Sequence, residues 1–225
     1  STMTGMINSV GQPVFREASN DRARLQNIFH KMLRFTVFVS FPAMFGLGII
    51  AEELIVITIT DKWLPCAPVM QILCVWGAFM PVSTLYSNLL NSLGRPNIYM
   101  WNTIGLGIFQ LLCVWFSYPY GLHVMLTAFT AANILWLGIW QHFAYKHAGI
   151  RLLHVLKDIV PYLIITLAVM AATWLATSGI GNLYLRMGCK ILMAAALYTL
   201  LMWWLKSVIF KECIQYLFAK KKVIS

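Results

Sequence analysis

The chain has 225 residues, of which 60% are hydrophobic and only 11% are charged, and its formal net charge is +10. Soluble globular domains carry about 25% charged residues, so this composition excludes an ordinary soluble enzyme, a disordered chain and a nucleic-acid-binding module. Because about 20 apolar residues cross the hydrocarbon core of a bilayer as a helix, the sequence predicts an all-α integral membrane protein.

Residues 1–34 combine a short apolar stretch with a polar segment of helical pattern. The apolar stretch, 3–15, is too short to cross a bilayer and resembles the end of a spanning helix, so we expect the chain to be a piece of a larger protein. In residues 16–34, apolar side chains recur at helical spacing after Ser19 or Asn20, either of which would cap a helix. We predict a cytoplasmic amphipathic helix at the membrane surface.

Six apolar runs of spanning length follow, and few charged residues interrupt them. The runs cover approximately residues 35–57, 68–92, 98–118, 123–143, 159–177 and 188–209. Continuous runs predict transmembrane helices, since the strands of a β-barrel alternate apolar and polar residues over about ten positions. We expect four helices in 35–143, a cytoplasmic loop at 144–157, two peripheral helices in 158–209 and a basic cytoplasmic tail at 210–225.

Pro42 lies inside the first run, and Pro81 lies in the middle of the second. Membrane helices tolerate proline where neighbouring helices satisfy the freed carbonyl group, and small residues nearby permit close packing. Two interpretations stay open. Pro42 and Pro81 are either packing sites, which the frequency of kinks in membrane bundles favours, or hinges for a conformational change.

Positive charge is distributed unevenly between the two sets of predicted connections. Fourteen of the 17 Lys and Arg residues fall in one set, namely Arg16, Arg22, Arg24, Lys31, Arg34, Arg95, Lys146, Arg151, Lys157, Lys206, Lys211, Lys220, Lys221 and Lys222. The other set holds Lys62, Arg186 and Lys190. Cytoplasmic loops carry an excess of Lys and Arg, so we expect both ends of the chain on the cytoplasmic side.

A polar stripe stands out in the second run. It consists of Thr84, Ser87, Asn88 and Asn91, which occupy one face of a helix at positions i, i+3, i+4 and i+7. A polar face at membrane depth must meet another helix or water. The stripe is therefore either a set of interhelical hydrogen bonds or the wall of a hydrated cavity for a polar headgroup. Weaker candidates for the cavity are Asn102, Gln110 and Asn133, for which ordinary helix contacts are the favoured role.

No catalytic or metal-binding arrangement is visible in the sequence. There is no G-x-S-x-G, P-loop or H-E-x-x-H motif. The five cysteines form no C-x-x-C pair and the five histidines lack metal-ligand spacing. We therefore expect no enzymatic activity, no metal ion and no cofactor.

Four stretches carry motifs whose order and spacing are distinctive together. They are PVFREASNDRARLQNIFHKMLRFTVFVSFPAMFGLGIIAEELI, WLPCAPVMQIL, LLNSLGRPNIY and YPYGLHVMLTA. Over roughly residues 10–150 the chain resembles polysaccharide and O-antigen flippases of the multidrug/oligosaccharidyl-lipid/polysaccharide superfamily. His123 departs from the pattern, because this loop usually has a small or aliphatic residue there.

The resemblance implies six transmembrane helices that form most of the C-terminal lobe of a MATE-like two-lobe transporter. It implies a multi-pass protein of the bacterial cytoplasmic membrane that exports lipid-linked oligosaccharide on a polyprenyl diphosphate carrier, for O-antigen, lipopolysaccharide or capsule. The implied partners are membrane lipids and other polysaccharide assembly proteins, with no nucleic acid. Family members often meet the diphosphate with cationic cavity residues, and no matching Arg or Lys occurs in these helices.

Two other classes stay open beside a transporter, namely a polysaccharide polymerase or ligase and a structural subunit of the same system. Such membrane enzymes usually have a large extracytoplasmic loop, whereas the outer loops predicted here are short.

Overall fold

The computed structural model describes residues 15–18 and 21–204, and most of them are helical. In this part of the chain the helices are α1 (Arg22–Ile49), α2 (Ala51–Thr58), α3 (Ala67–Ser92), α4 (Pro96–Ser117), α5 (Leu122–Ala148), α6 (Leu152–Thr177) and α7 (Leu183–Trp204). Two 3-10 turns, Asp61–Cys66 and Tyr118–Tyr120, lead into α3 and α5.

Six of these segments are long and apolar enough to cross a membrane, and α2 is the short exception. The six-helix prediction is therefore confirmed. Large apolar side chains cover the outside of the bundle, as Leu111 and Leu192 do with 71% and 73% exposure. That surface suits hydrocarbon, since water would disfavour it. The predicted helix end at 3–15 lies almost entirely outside the described residues, and the tail at 210–225 lies wholly outside them.

The helices pack in an order that differs from their order in the chain. α3 lies between α1 and α5, α1 also packs on α6, α6 packs on α7, and α4 packs on α5. The main core forms where α1, α3 and α5 meet, and it includes Phe29, Phe41, Leu85, Leu89 and Ala144. Because the connections between successive spans are short, each span runs antiparallel to the one before it.

The first span begins earlier than its apolar run. The amphipathic segment predicted for 16–34 is continuous with the span in α1, and its cap is Asp21 instead of Ser19 or Asn20, which lie outside the described residues. The carboxylate of Asp21 accepts hydrogen bonds from the N–H groups of Ala23 and Arg24, at 2.9 and 3.2 Å. An ionised cap satisfies free N–H groups and the helix dipole together.

The first run also ends differently from the prediction. Its single helix over 35–57 is broken at Ile50, after which α2 continues to Thr58. Gly46 and Gly48 precede the break, and glycine weakens a helix interior by about 1 kcal/mol. The break leaves the carbonyl group of Ile49 available to a partner on α7.

The loop predicted at 144–157 is confined to residues 149–151, because both flanking helices extend toward it. Gly149 ends α5 in the left-handed conformation at φ 73°, which glycine adopts without strain. Side-chain amides satisfy the carbonyl groups of the turn: Gln26 donates to Ala148 at 2.9 Å and Gln141 donates to Ile150 at 2.8 Å. A compact turn replaces the loop as a result.

Candidate functional site

The polar stripe lies in the second half of α3. The opposite face of that helix is fully buried, with Leu85 and Leu89 at 0% exposure against the neighbouring helices. On the stripe itself, Thr84, Ser87 and Asn91 are half-buried. The stripe therefore occupies the side of α3 that the described helices leave partly open.

The hydroxyl groups of the stripe are satisfied within their own helix. Thr84 donates to the carbonyl oxygen of Met80 at 3.1 Å, and Ser87 donates to that of Ser83 at 3.2 Å. Asn88 is only 3% exposed and faces into the bundle. Thr84 and Ser87 therefore present polar oxygen atoms while their hydroxyl hydrogens are already bonded to the helix backbone. Such a surface suits a cavity wall, because no polar group is left without a partner.

A buried hydrogen-bond chain fixes α3 against α5 beside the stripe. The hydroxyl of Tyr86 donates to Gln141 at 2.6 Å, and Gln141 in turn donates to the backbone of Ile150. A network whose members are all satisfied gives a unique arrangement of the helices. The orientation of the stripe follows from this contact and from the buried leucines behind it.

The weaker candidates lie apart from the stripe, in contacts between α4 and α5. Gln110 donates to Asn133 at 2.8 Å, and Asn133 donates to the carbonyl of Phe129. The indole of Trp136 donates to Asn102 at 3.0 Å. The structure brings these three amides into helix packing and does not join them to the four residues of the stripe.

The two prolines lie inside continuous helices, and a neighbouring side chain bonds the backbone near each. Pro42 lacks the N–H group that would bond the carbonyl of Phe38, and the hydroxyl of Tyr198 on α7 donates to that carbonyl at 2.9 Å. Near Pro81, Ser40 of α1 donates to the carbonyl of Ala78 at 3.1 Å. These contacts agree with a packing role, and the hinge role stays a prediction.

A buried charge cluster, which no sequence pattern predicted, lies between α2 and α7. Glu53 is 0% exposed, and its Oε1 lies 2.6 Å from Lys190 Nζ and 2.7 Å from Arg186 Nε. Lys190 also donates to the carbonyl of Ile49, where α1 ends, at 2.9 Å. These contacts join α2 to α7 and to the end of α1.

A second unforeseen cluster joins α1 to α6 near their polar ends. Asp158 is 5% exposed and contacts His30 and Arg34, each at 2.5 Å. The rings of His30 and His154 lie 6.0 Å apart in an edge-on arrangement. His30 and Arg34 are 128 and 124 residues away from Asp158 in the sequence, so no local pattern indicated these contacts.

Among residues 15–18 and 21–204, no three His, Cys, Asp or Glu side chains are grouped so as to hold a metal ion.

Comparisons with known proteins place the first part of the chain in a polysaccharide context. Residues 1–68 match the profile of a family described as polysaccharide biosynthesis protein. The predicted resemblance to polysaccharide exporters is confirmed. A lipopolysaccharide biosynthesis protein, WzxC of Escherichia coli, is 30% identical over 93 residues, which is 41% of this chain and 19% of that protein.

Two further relatives match this chain over segments of similar length. An uncharacterised membrane protein in the cps region of Klebsiella pneumoniae is 33% identical over 90 residues, or 40% of this chain and 19% of that protein. The teichuronic acid biosynthesis protein TuaB of Bacillus subtilis is 23% identical over 99 residues, or 44% and 20%. The matched segment thus spans about a fifth of each relative's length.

The fold resembles that of a solved membrane transporter. The lipid II flippase MurJ, in an inward closed conformation, superposes with a TM-score of 0.63 at 16% identity. The superposition covers 91% of this chain and 45% of that one. At this identity the likeness shows the fold alone: a bundle of transmembrane helices arranged as in one part of a transporter.

Proposed function

We propose that this chain is part of a flippase that moves lipid-linked oligosaccharide or polysaccharide repeat units across the cytoplasmic membrane by alternating access. The observation that carries the proposal is the polar stripe on the partly open side of α3. The MurJ-like fold and the similarity to a lipopolysaccharide biosynthesis protein and to a membrane protein of a cps region support it. The substrate class is a sugar-diphosphate head on a polyprenyl tail.

The stripe suits the physical problem that such a substrate poses. Hydrocarbon excludes the head, since each polar group moved there without a partner costs roughly 2 kcal/mol or more. A face that carries hydroxyls and amides offers those partners at membrane depth. Rocking of two lobes around the loaded site then exposes the head to one side and to the other in turn.

The polymerase or ligase alternative has less support. The connections that we assign to the outer side are residues 59–66, 118–121 and 178–182, and all are short. Within the described part of the chain they leave no room for a large extracytoplasmic loop.

The decisive experiment replaces two stripe residues on the partly open side of α3, Ser87 and Asn91. We expect the double variant Ser87→Leu and Asn91→Leu to insert normally, because interhelical hydrogen bonds in membranes contribute only about 0.6 kcal/mol each. Export should fall at least about tenfold, since the headgroup loses partners worth roughly 2 kcal/mol or more. Surface polysaccharide is measured in a strain that lacks the chromosomal copy, and immunoblotting reports membrane abundance.

A matched control changes two exposed polar side chains elsewhere. Thr103 on α4 and Thr199 on α7 bond their own helices as Thr84 and Ser87 do. Thr103→Leu with Thr199→Leu should leave export unchanged. Normal polysaccharide from the stripe variant at normal abundance would contradict the proposal, and reduced abundance would make the stripe structural.

A further inference from the structure

A groove of about 450 Å³ lies between α4 and α5, near the start of α4 and the end of α5. The indoles of Trp101 and Trp136 and several aliphatic and aromatic side chains form most of its lining. A Cβ atom added at Gly105 would lie 3.1 Å from the ring of Trp136, so glycine leaves room for that ring. The groove thus offers mainly apolar surface, and its walls come from α4 and α5, whereas the stripe lies on α3.

One polar group that lines the groove lacks a partner. Asn102 is only 5% exposed, and its Oδ1 accepts a hydrogen bond from the indole of Trp136 at 3.0 Å, which orients the amide. Its Nδ2 is buried and has no hydrogen-bond partner in residues 15–18 and 21–204. A buried donor without a partner is costly, and hydrocarbon holds no water to supply one. The groove therefore favours a ligand that brings an acceptor oxygen to this depth.

The end of the groove beside Asn97, its mouth, is positively charged. Arg95 precedes the first turn of α4, and Lys146 lies in the last turn of α5. Both side chains are exposed and interact electrostatically with His147. The start of α4, which no side chain caps, adds the positive end of a helix dipole. Since residues 93–150 contain no Asp or Glu, the mouth attracts an anion and disfavours a further cation.

The charge and the unpaired donor lie at two levels of one bilayer leaflet. Asn102 is five residues beyond Asn97, or about 7 Å along the helix axis. The polar layer of a leaflet is about 6 Å thick, so the mouth lies among the headgroups and Asn102 lies where the hydrocarbon begins. Trp101, which is 67% exposed, suits this boundary, where indoles are enriched.

We propose that the groove binds an anionic glycerophospholipid of the leaflet into which it opens. The phosphate lies at Arg95, Lys146 and the start of α4, and an acyl chain packs on the indole of Trp136. An ester carbonyl accepts a hydrogen bond from Asn102 Nδ2 after a small shift of the side chains that cover this nitrogen. The excess of Lys and Arg on this side predicts the cytoplasmic leaflet.

Two other lipids fit the groove less well. A polyprenyl diphosphate also has an anionic head and a hydrocarbon tail, but it has no acceptor oxygen below its phosphates for Asn102. Phosphatidylethanolamine has the ester carbonyls, but its ammonium group meets a mouth that is already cationic. The site is therefore independent of the proposed flippase substrate.

Photocrosslinking of the intact protein in neutral detergent tests the proposal. The probe is phosphatidylglycerol with a diazirine on one acyl chain, and peptide mapping by mass spectrometry should find its label at residues 97–105 and 136–143. Unlabelled phosphatidylglycerol at ten times its Kd should reduce this label about tenfold by mass action. The same concentrations of phosphatidylethanolamine and of polyprenyl diphosphate should each reduce it less than about twofold.

A pair of double variants tests the mouth. Arg95→Gln with Lys146→Gln should weaken phosphatidylglycerol binding about tenfold or more, because each basic residue near anionic headgroups contributes about fivefold. Arg22→Gln with Lys157→Gln removes the same charge outside the groove and should leave the Kd unchanged. All four side chains are exposed, so both variants should fold.

An ether-linked phosphatidylglycerol, which has no ester carbonyl, tests the contact with Asn102. It should bind the unaltered protein about threefold to tenfold more weakly than the ester lipid, the usual contribution of one hydrogen bond. In Asn102→Leu the two lipids should bind equally. The comparison in the unaltered protein holds whether or not this variant folds.

Three results would each overturn the inference. Equal competition by phosphatidylethanolamine would make the groove a surface for any membrane lipid. Stronger competition by polyprenyl diphosphate would assign the groove to the carrier lipid. Equal affinities of the ester and ether lipids for the unaltered protein would remove the role of Asn102.

Discussion

At the scale of single residues, two side chains of α7 satisfy backbone groups that irregularities in α1 release. Tyr198 donates to the carbonyl of Phe38, which Pro42 leaves without its helical donor. Lys190 donates to the carbonyl of Ile49 at the break before α2. In hydrocarbon no water replaces such partners. α7 is therefore bound to α1 by specific polar contacts as well as by apolar packing.

The variant Tyr198→Phe isolates one of these contacts. It removes only the hydroxyl, and the carbonyl of Phe38 loses its partner, at an expected cost of about 1–3 kcal/mol. The midpoint of thermal unfolding in detergent measures the loss. Tyr184→Phe, at 71% exposure near the start of α7, is the control and should have no effect. Equal midpoints for the two variants would contradict the assignment.

Residue-scale predictions from sequence succeed where the signal is local. The helical spacing of Thr84, Ser87 and Asn91 correctly places them on one side of α3, because four residues make little more than one turn. Glu53 and Lys190 are separated by 137 residues. Their pairing depends on how α2 and α7 pack, which no local pattern contains.

At the scale of elements, a close approach of α1 and α3 depends on glycine. A Cβ atom added at Gly77 would overlap the terminal methyl group of Met44. The same pair of helices is joined by Ser40 and Ala78 one residue away. Side chains of α1 therefore contact α3 around Gly77.

We expect Gly77→Ile to destabilise the protein by about 1–3 kcal/mol, the usual cost of overpacking a close contact. Gly77→Ala should cost less, because the end of Met44 is flexible. Gly107→Ile is the matched control on α4, where a Cβ atom would have no neighbour within 4 Å. Thermal unfolding in detergent again gives the comparison, and similar losses at Gly77 and Gly107 would refute the close contact.

The boundaries of elements were predicted less well than their number. Hydropathy finds the apolar part of a span, but helices continue past it wherever their polar residues reach the interface, as at 16–34 and 144–157. The break at Ile50 lies within a run that is apolar throughout. Its partner is Lys190, so only the packed structure reveals why the chain divides there.

At the scale of the whole molecule, the connections fall into two groups at opposite ends of the bundle. One group comprises the start of α1 and the turns at 93–95 and 149–151, and the other comprises 59–66, 118–121 and 178–182. Since the six spans alternate in direction, each group lies on one side of the membrane. This alternation could be predicted from the sequence, because each span is a single apolar run and each loop charge is counted in the short stretch between two runs.

The excess of Lys and Arg in the first group predicts that it is cytoplasmic. We expect a membrane-impermeant maleimide added to intact cells to label Lys62→Cys, Tyr120→Cys and Ser178→Cys in a protein without native cysteines. Arg95→Cys and Lys146→Cys should react only after permeabilisation. All five positions are exposed, so a missing reaction before permeabilisation reports sidedness and not burial. Labelling of Arg95→Cys or Lys146→Cys in intact cells would invert the bundle and put the stripe in the outer half of the membrane.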